Sequence, residues 1–72
     1  MKSNNPVAVI TGAARGIGKG CALELARGGF NLLINDRPDA ESVQKLKATQ
    51  QECIAEGVEV ICFPADIGDL SL

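Results

Sequence analysis

The chain has 72 residues, 46% of them hydrophobic, with seven basic and nine acidic side chains for a formal net charge of −2. That apolar share and small charge exclude intrinsic disorder, and the scattered lysines and arginines exclude a phosphate-neutralising surface, so nucleic acid is not an expected partner. With no histidine and no close cysteine pair, neither a zinc site nor a Cys–His catalytic pair is available, and no metal ligand is predicted.

A polar lead, Met1–Pro6, is followed by only four apolar residues, Val7–Ile10, too few for a signal core or a membrane span. Cys21, Cys53 and Cys62 are an odd number and form no C-x-x-C pair. They read as reduced thiols used as small hydrophobes, which predicts a cytoplasmic protein with no membrane partner.

Val7–Thr11 is a short apolar, β-branched run, the pattern of a strand buried in a parallel sheet. Gly12–Gly18 is a glycine-rich loop, and a helix begins at Gly16. Ile17, Cys21 and Leu25 recur every fourth residue, with small Gly18 and Ala22 beside them, which predicts that this face packs inward. Gly28-Gly29 ends the helix, one of the two taking the left-handed position that follows a helix. Phe30–Asn35 is a second strand, closed by Asp36.

Pro38 and Asp39 open a second helix, proline suiting a first turn and an acid complementing the positive end of the helix dipole. Its predicted inner stripe is Val43, Leu46, Cys53 and Ile54, interrupted by Gln50, with Lys45, Glu52 and Glu56 facing outward. Gly57 ends it. Val58–Phe63 is a third strand, stopped by Pro64, and Ala65–Leu70 begins a loop leading towards a third helix. Strands joined by helical crossovers run parallel with right-handed connections. The β-α-β-α-β order therefore predicts an α/β fold, the first half of a Rossmann doubly wound sheet with strand order 3-2-1, truncated after its third strand.

The loop Thr11-Gly12-Ala13-Ala14-Arg15-Gly16-Ile17-Gly18 carries the chemistry. Gly12 allows a tight turn out of the strand, Gly16 lets backbone approach a pyrophosphate, and Gly18 allows the helix to pack closely on the strand. An anion there meets free N–H groups at the positive helix end. A phosphate-binding P-loop is ruled out, because the required first glycine is Ala13 and the required hydroxyl after Lys19 is Gly20. The spacing is G-x-x-x-G-x-G, which differs from the G-x-G-x-x-G fingerprint.

This variant spacing, with Asn35-Asp36-Arg37 closing the second strand and Ala65-Asp66-Ile67 after the third, resembles the short-chain dehydrogenase/reductase family. The likeness runs from about Val7 to Leu70 and is nearest to the 3-oxoacyl-thioester reductase and sugar or polyol dehydrogenase branches. The resemblance implies that the backbones of Gly12, Gly16, Ile17 and Gly18 line the pyrophosphate and nicotinamide ribose of a dinucleotide. Asp36, eighteen residues past Gly18 where about 20 is usual, would accept from the adenosine ribose hydroxyls. Asp66 and the Ile67 backbone would meet the adenine. The alternative for Asp36 and Asp66 is an ordinary solvated acid at a strand end, and Asp69 reads as a plain acid at a helix start.

The family's catalysis rests on a serine and a Tyr-x-x-x-Lys pair, and this chain has no tyrosine, so no catalytic residue is assigned. Residues 1–72 are accordingly expected to be the N-terminal part of one dinucleotide-binding domain whose remainder is absent from the chain. The whole protein is expected to be an NAD(P)-dependent oxidoreductase acting on a small carbonyl or alcohol, and, by resemblance alone, a homo-oligomer. The alternative is a stand-alone, non-catalytic dinucleotide-binding or regulatory module. NAD is the expected cofactor over NADP: a 2′-phosphate about 4 Å from Asp36 is repelled by about 4 kcal/mol at an effective dielectric of about 20. Arg15 and Arg37 oppose this, since arginine suits bidentate phosphate binding.

Overall fold

Asn31–Asp36 (β2) is the middle strand of a parallel three-stranded sheet, flanked by Val7–Ile10 (β1) and Val60–Pro64 (β3). Gly16–Arg27 (α1) and Ala40–Ile54 (α2) are the crossovers. The structure is a computed structural model and describes residues 4–66. Parallel pairing and the predicted strand order are both present, with Val9, Leu33 and Ile61 aligned in one row across the sheet.

Some boundaries shift. Thr11 lies past β1, Phe30 precedes β2, and Asp36 is the last residue of β2 instead of the residue after it. Val58 and Glu59 precede β3, although the Glu59 carbonyl already accepts from the Leu32 amide at 2.9 Å. Pro64, expected to stop β3, is its last residue. An edge strand tolerates proline at its end because no ladder N–H is needed there.

Successive right-handed connections step the same way across the sheet, so both helices cover one face. Under them lie Leu32, Ile34, Leu46, Ala22, Ala26 and Cys53, all essentially without solvent exposure. On the opposite face Val7, Val9, Ile61 and Phe63 each keep more than half of their surface exposed. Burial pushes the Cys53 and Cys62 thiols up, as expected of cysteines used as hydrophobes. Among the described residues no helix is long and apolar enough to cross a membrane.

Both helices are rotated from their predicted faces. In α1 the inner residues are Gly18, Ala22 and Ala26, with Leu25 half-buried; Ile17 is 88% exposed and Cys21 is exposed. The cause is Gly18, which packs so tightly on Gly12 that this contact sets the rotation of the helix. Alanines then allow the close approach that glycine begins, and the larger residues are carried outward. In α2 the buried stripe is Ser42, Leu46, Thr49 and Cys53, while Val43 is half-buried and Ile54 exposed. Ser42 and Thr49 replace apolar residues there because each bonds to the glycine loop. A Lys19–Glu52 ion pair at 2.8 Å also joins the helices, though half-exposed pairs of this kind contribute little.

Asp39 caps α2, its Oδ2 accepting from the Ser42 amide at 3.0 Å. The Ser42 amide and hydroxyl hold the Asp39 carboxyl below the ordinary value of 3.8. A group with a lowered folded pKa stabilises fully at pH well above 3.8 and loses that contribution as pH falls through the lowered value. The melting-temperature gap between the parent protein and Asp39→Ala is therefore expected to be open at pH 6 and to narrow below pH of about 4. Thermal scans of both proteins across that range test it, and a gap that stays constant or widens in acid contradicts it.

Candidate functional site

Two left-handed glycines, Gly12 (φ 67°) and Gly16 (φ 61°), shape the loop between β1 and α1. A β-carbon at either would meet nothing within 4 Å, so the backbone there needs glycine while the space before the loop stays open. Gly18 is the reverse case: its β-carbon would collide with the Gly12 carbonyl oxygen and lie 2.7 Å from the carbonyl carbon. The N-cap of α1 is Arg15, in an extended conformation, with no side-chain cap and no acid in the first turn. The first-turn amides, those of Ile17 and Gly18 among them, are thus left without a capping acceptor at the positive end of the helix.

Asp36 is 8% exposed and belongs to the loop's framework. Its Oδ2 accepts from the Ala14 amide and its Oδ1 from the Arg37 amide, both at 2.8 Å. That rules out the solvated-acid alternative at this position. The loop is held from two more sides: the Ala13 amide donates to the Asn35 carbonyl at 2.9 Å, and Thr49 Oγ1 donates to the Ala13 carbonyl at 3.0 Å.

Asn35 ties the chain after β3 to β2, Nδ2 donating to the carbonyls of Phe63 at 2.7 Å and Ala65 at 3.1 Å. The Ala65 amide in turn donates to the Asp36 carbonyl at 2.9 Å. The result is a groove of about 310 Å³ lined by Thr11, Gly12, Asn35, Asp36, Arg37, Ala65 and Asp66. Two larger hollows, along Ile54–Ile61 and over Ile17–Arg27, are more apolar and lie away from the loop. The smaller groove is the chemically equipped one, at the carboxyl ends of the strands where open α/β sheets bind ligands.

Of the predicted residues, Gly12, Asp36, Arg37 and Asp66 meet in this groove, and Gly16 and Gly18 stand beside it on the loop. Arg15 turns elsewhere, Nη2 donating to Ser42 Oγ at 2.7 Å. The Ile17 side chain is exposed. Ile67, like Asp69, lies outside the described residues. Asn35, Ser42 and Thr49 were not singled out from the sequence. Their signal was a buried asparagine next to the strand-end acid and two hydroxyls spaced along one face of a helix.

The family model described as short chain dehydrogenase matches residues 6–71. A short-chain dehydrogenase/reductase of Hericium erinaceus is 44% identical over 61 residues, 85% of this chain and 24% of that protein. An alcohol dehydrogenase from Thermococcus sibiricus, solved with 5-hydroxy-NADP, superposes with a TM-score of 0.81 at 40% identity over 92% of this chain and 27% of that one. Carveol dehydrogenase of Mycobacterium avium, solved with NAD, gives 0.81 at 25% identity over 89% of this chain and 26% of that one. The chain thus spans about a quarter of the length of each of these three proteins. Both the match along nearly all of its residues and the shared sheet lead to one assignment: this chain belongs to the short-chain dehydrogenase family.

Proposed function

We propose that residues 1–72 are the N-terminal, cofactor-binding part of a single Rossmann domain in an NAD(P)-dependent oxidoreductase. The observation that carries this reading is the cradle: two left-handed glycines with open space before them, an uncapped helix N-terminus behind, and Asp36 locked alongside. When bound, the nicotinamide cofactor supplies or accepts the hydride exchanged with a carbonyl or alcohol. The chain's own residues bind and orient. The backbones of Gly12, Gly16, Ile17 and Gly18 take the pyrophosphate and neighbouring ribose, Asp36 the adenosine ribose, and Asp66 with Ile67 the adenine. The protein is read as cytoplasmic, as a homo-oligomer, and as acting on a small molecule.

NAD is the favoured cofactor in this reading, because the Asp36 carboxylate is fixed by two amides and cannot swing clear of a 2′-phosphate. Arg15 and Arg37 supply the opposing attraction. In the whole protein, kcat/KM is expected to favour NAD, and Asp36→Asn to move the NADP/NAD ratio at least about tenfold towards NADP. Asparagine is chosen because its side-chain oxygen still accepts from Ala14. A tenfold preference for NADP in the unmodified protein, left unmoved by Asp36→Asn, would show that Asp36 does not select the cofactor.

A further inference from the structure

The parallel ladder joining β2 to β3 advances two residues at a time along each strand. It opens with the Leu32 amide donating to the Glu59 carbonyl and reaches the Ala65 amide, which donates to the Asp36 carbonyl, both at 2.9 Å. Carried on in the same steps, the donor due to the Ala65 carbonyl falls at residue 38. That residue is Pro38, which has no N–H. The Asn35 side chain supplies the missing donor. Its Nδ2 donates to the Ala65 carbonyl at 3.1 Å and the Phe63 carbonyl at 2.7 Å, with a longer contact of 3.4 Å to the Asp36 carbonyl. Asn35 is 6% exposed, so little water competes for these bonds. The Ala65 backbone is thereby held at both its N–H and its C=O. Because a peptide unit is planar, fixing the Ala65 carbonyl also fixes the plane from which Asp66 begins. Asp66 lies past the last residue of β3 and lines the groove together with Asn35.

From this geometry we infer that Asn35 is a positioning residue for base recognition: replacing a ladder donor that Pro38 cannot provide, it aims the Ala65–Asp66 segment so that the Asp66 carboxylate meets the adenine. The inference rests on the cofactor reading above and adds to it a residue that acts through Asp66. Without the Asn35 amide the Ala65 carbonyl is free to turn, and the exposed Asp66 side chain is spread over several directions. A carboxylate held in one place accepts from the 6-amino group of adenine and rejects a base with a carbonyl oxygen there, since two acceptors then face each other.

The test is calorimetric binding of NAD and of nicotinamide hypoxanthine dinucleotide, which carries that carbonyl oxygen, to the whole protein. The unmodified protein is expected to prefer NAD at least about tenfold, the worth of one hydrogen bond to a charged group. Asn35→Ala is expected to narrow this preference about three- to tenfold, chiefly by weakening NAD. With Asp66→Ala already in place, Asn35→Ala is expected to leave NAD affinity within about twofold, because Asn35 acts through Asp66. Should Asn35→Ala fold poorly, Asn35→Leu gives the same result: it keeps the volume, lacks the donor and sits beside Val9, Leu33 and Phe63. Equal weakening of both dinucleotides, or additive losses in the double variant, would make Asn35 a structural brace and overturn the inference. Equal binding of the two by the unmodified protein overturns it as well, while leaving the dinucleotide site standing. If the unmodified protein binds neither, the cofactor reading itself fails.

Discussion

Gly18→Ala is expected to destabilise the whole protein by about 3 kcal/mol, at the upper end of overpacking costs, and Gly20→Ala to stabilise it by about 0.5–1 kcal/mol. The two glycines lie two residues apart in the same helix, α1, so intrinsic helix propensity treats them alike. Their surroundings do not. A β-carbon at Gly18 strikes the backbone of Gly12, which has no rotamer by which to retreat, while one at Gly20 meets nothing within 4 Å. At Gly20 only the lost backbone freedom of glycine counts, and alanine removes that cost. At Gly18 the helix must move off the loop, and the amides of Ala13 and Ala14 then lose their alignment with Asn35 and Asp36. Denaturant unfolding of both variants decides the matter. Equal changes of one sign in the pair would mean that the Gly12–Gly18 contact does not control the placement of α1.

Gly16→Val is expected to reduce affinity for the dinucleotide at least tenfold. Here the clash is absent from the protein itself, since space around the position is open. Two other effects combine. Valine at a φ of 61° is strained by roughly 1–2 kcal/mol, and its β-branched side chain would occupy the space where the pyrophosphate approaches the first turn of α1. Losing one or two charge-assisted bonds, each about 1.5–3 kcal/mol, is already enough for the tenfold loss. Stability should fall less than in Gly18→Ala, so the two glycines separate a ligand effect from a folding effect. Fluorescence titration of Gly16→Val with the cofactor, returning an unchanged dissociation constant, would remove Gly16 from the site.

The element order and parallel topology were legible in the sequence because each strand is a short apolar run bounded by glycine, aspartate or proline. The glycine loop was legible because its spacing excludes a P-loop. Helix rotation was not. A hydrophobic wheel places Ile17 and Cys21 inward, yet the contact of Gly18 with Gly12 outweighs the burial those side chains would gain. Likewise, Thr49 and Ser42 take inner positions that a wheel reserves for Val43 and Ile54. Long-range bonds to Ala13 and Arg15 decide this, and no local pattern carries them. Asp36 was identified by position, but its engagement with the Ala14 amide depends on how β1, β2 and the loop come together.

The bonds from Asn35 to the Phe63 and Ala65 carbonyls have a kinetic meaning. They are made when β3 joins β2, so this wall of the groove is finished before any nucleotide arrives. Ordering a side chain on binding costs about 0.5–1.5 kcal/mol, and a wall assembled in advance leaves little of that cost to the encounter. On the proposed reading, a dinucleotide reaching this end of the groove meets Asn35, Phe63 and Ala65 already joined to one another. Under the same proposal, how long it stays depends on its own contacts with that preformed wall, the behaviour suited to a carrier exchanged at every turnover.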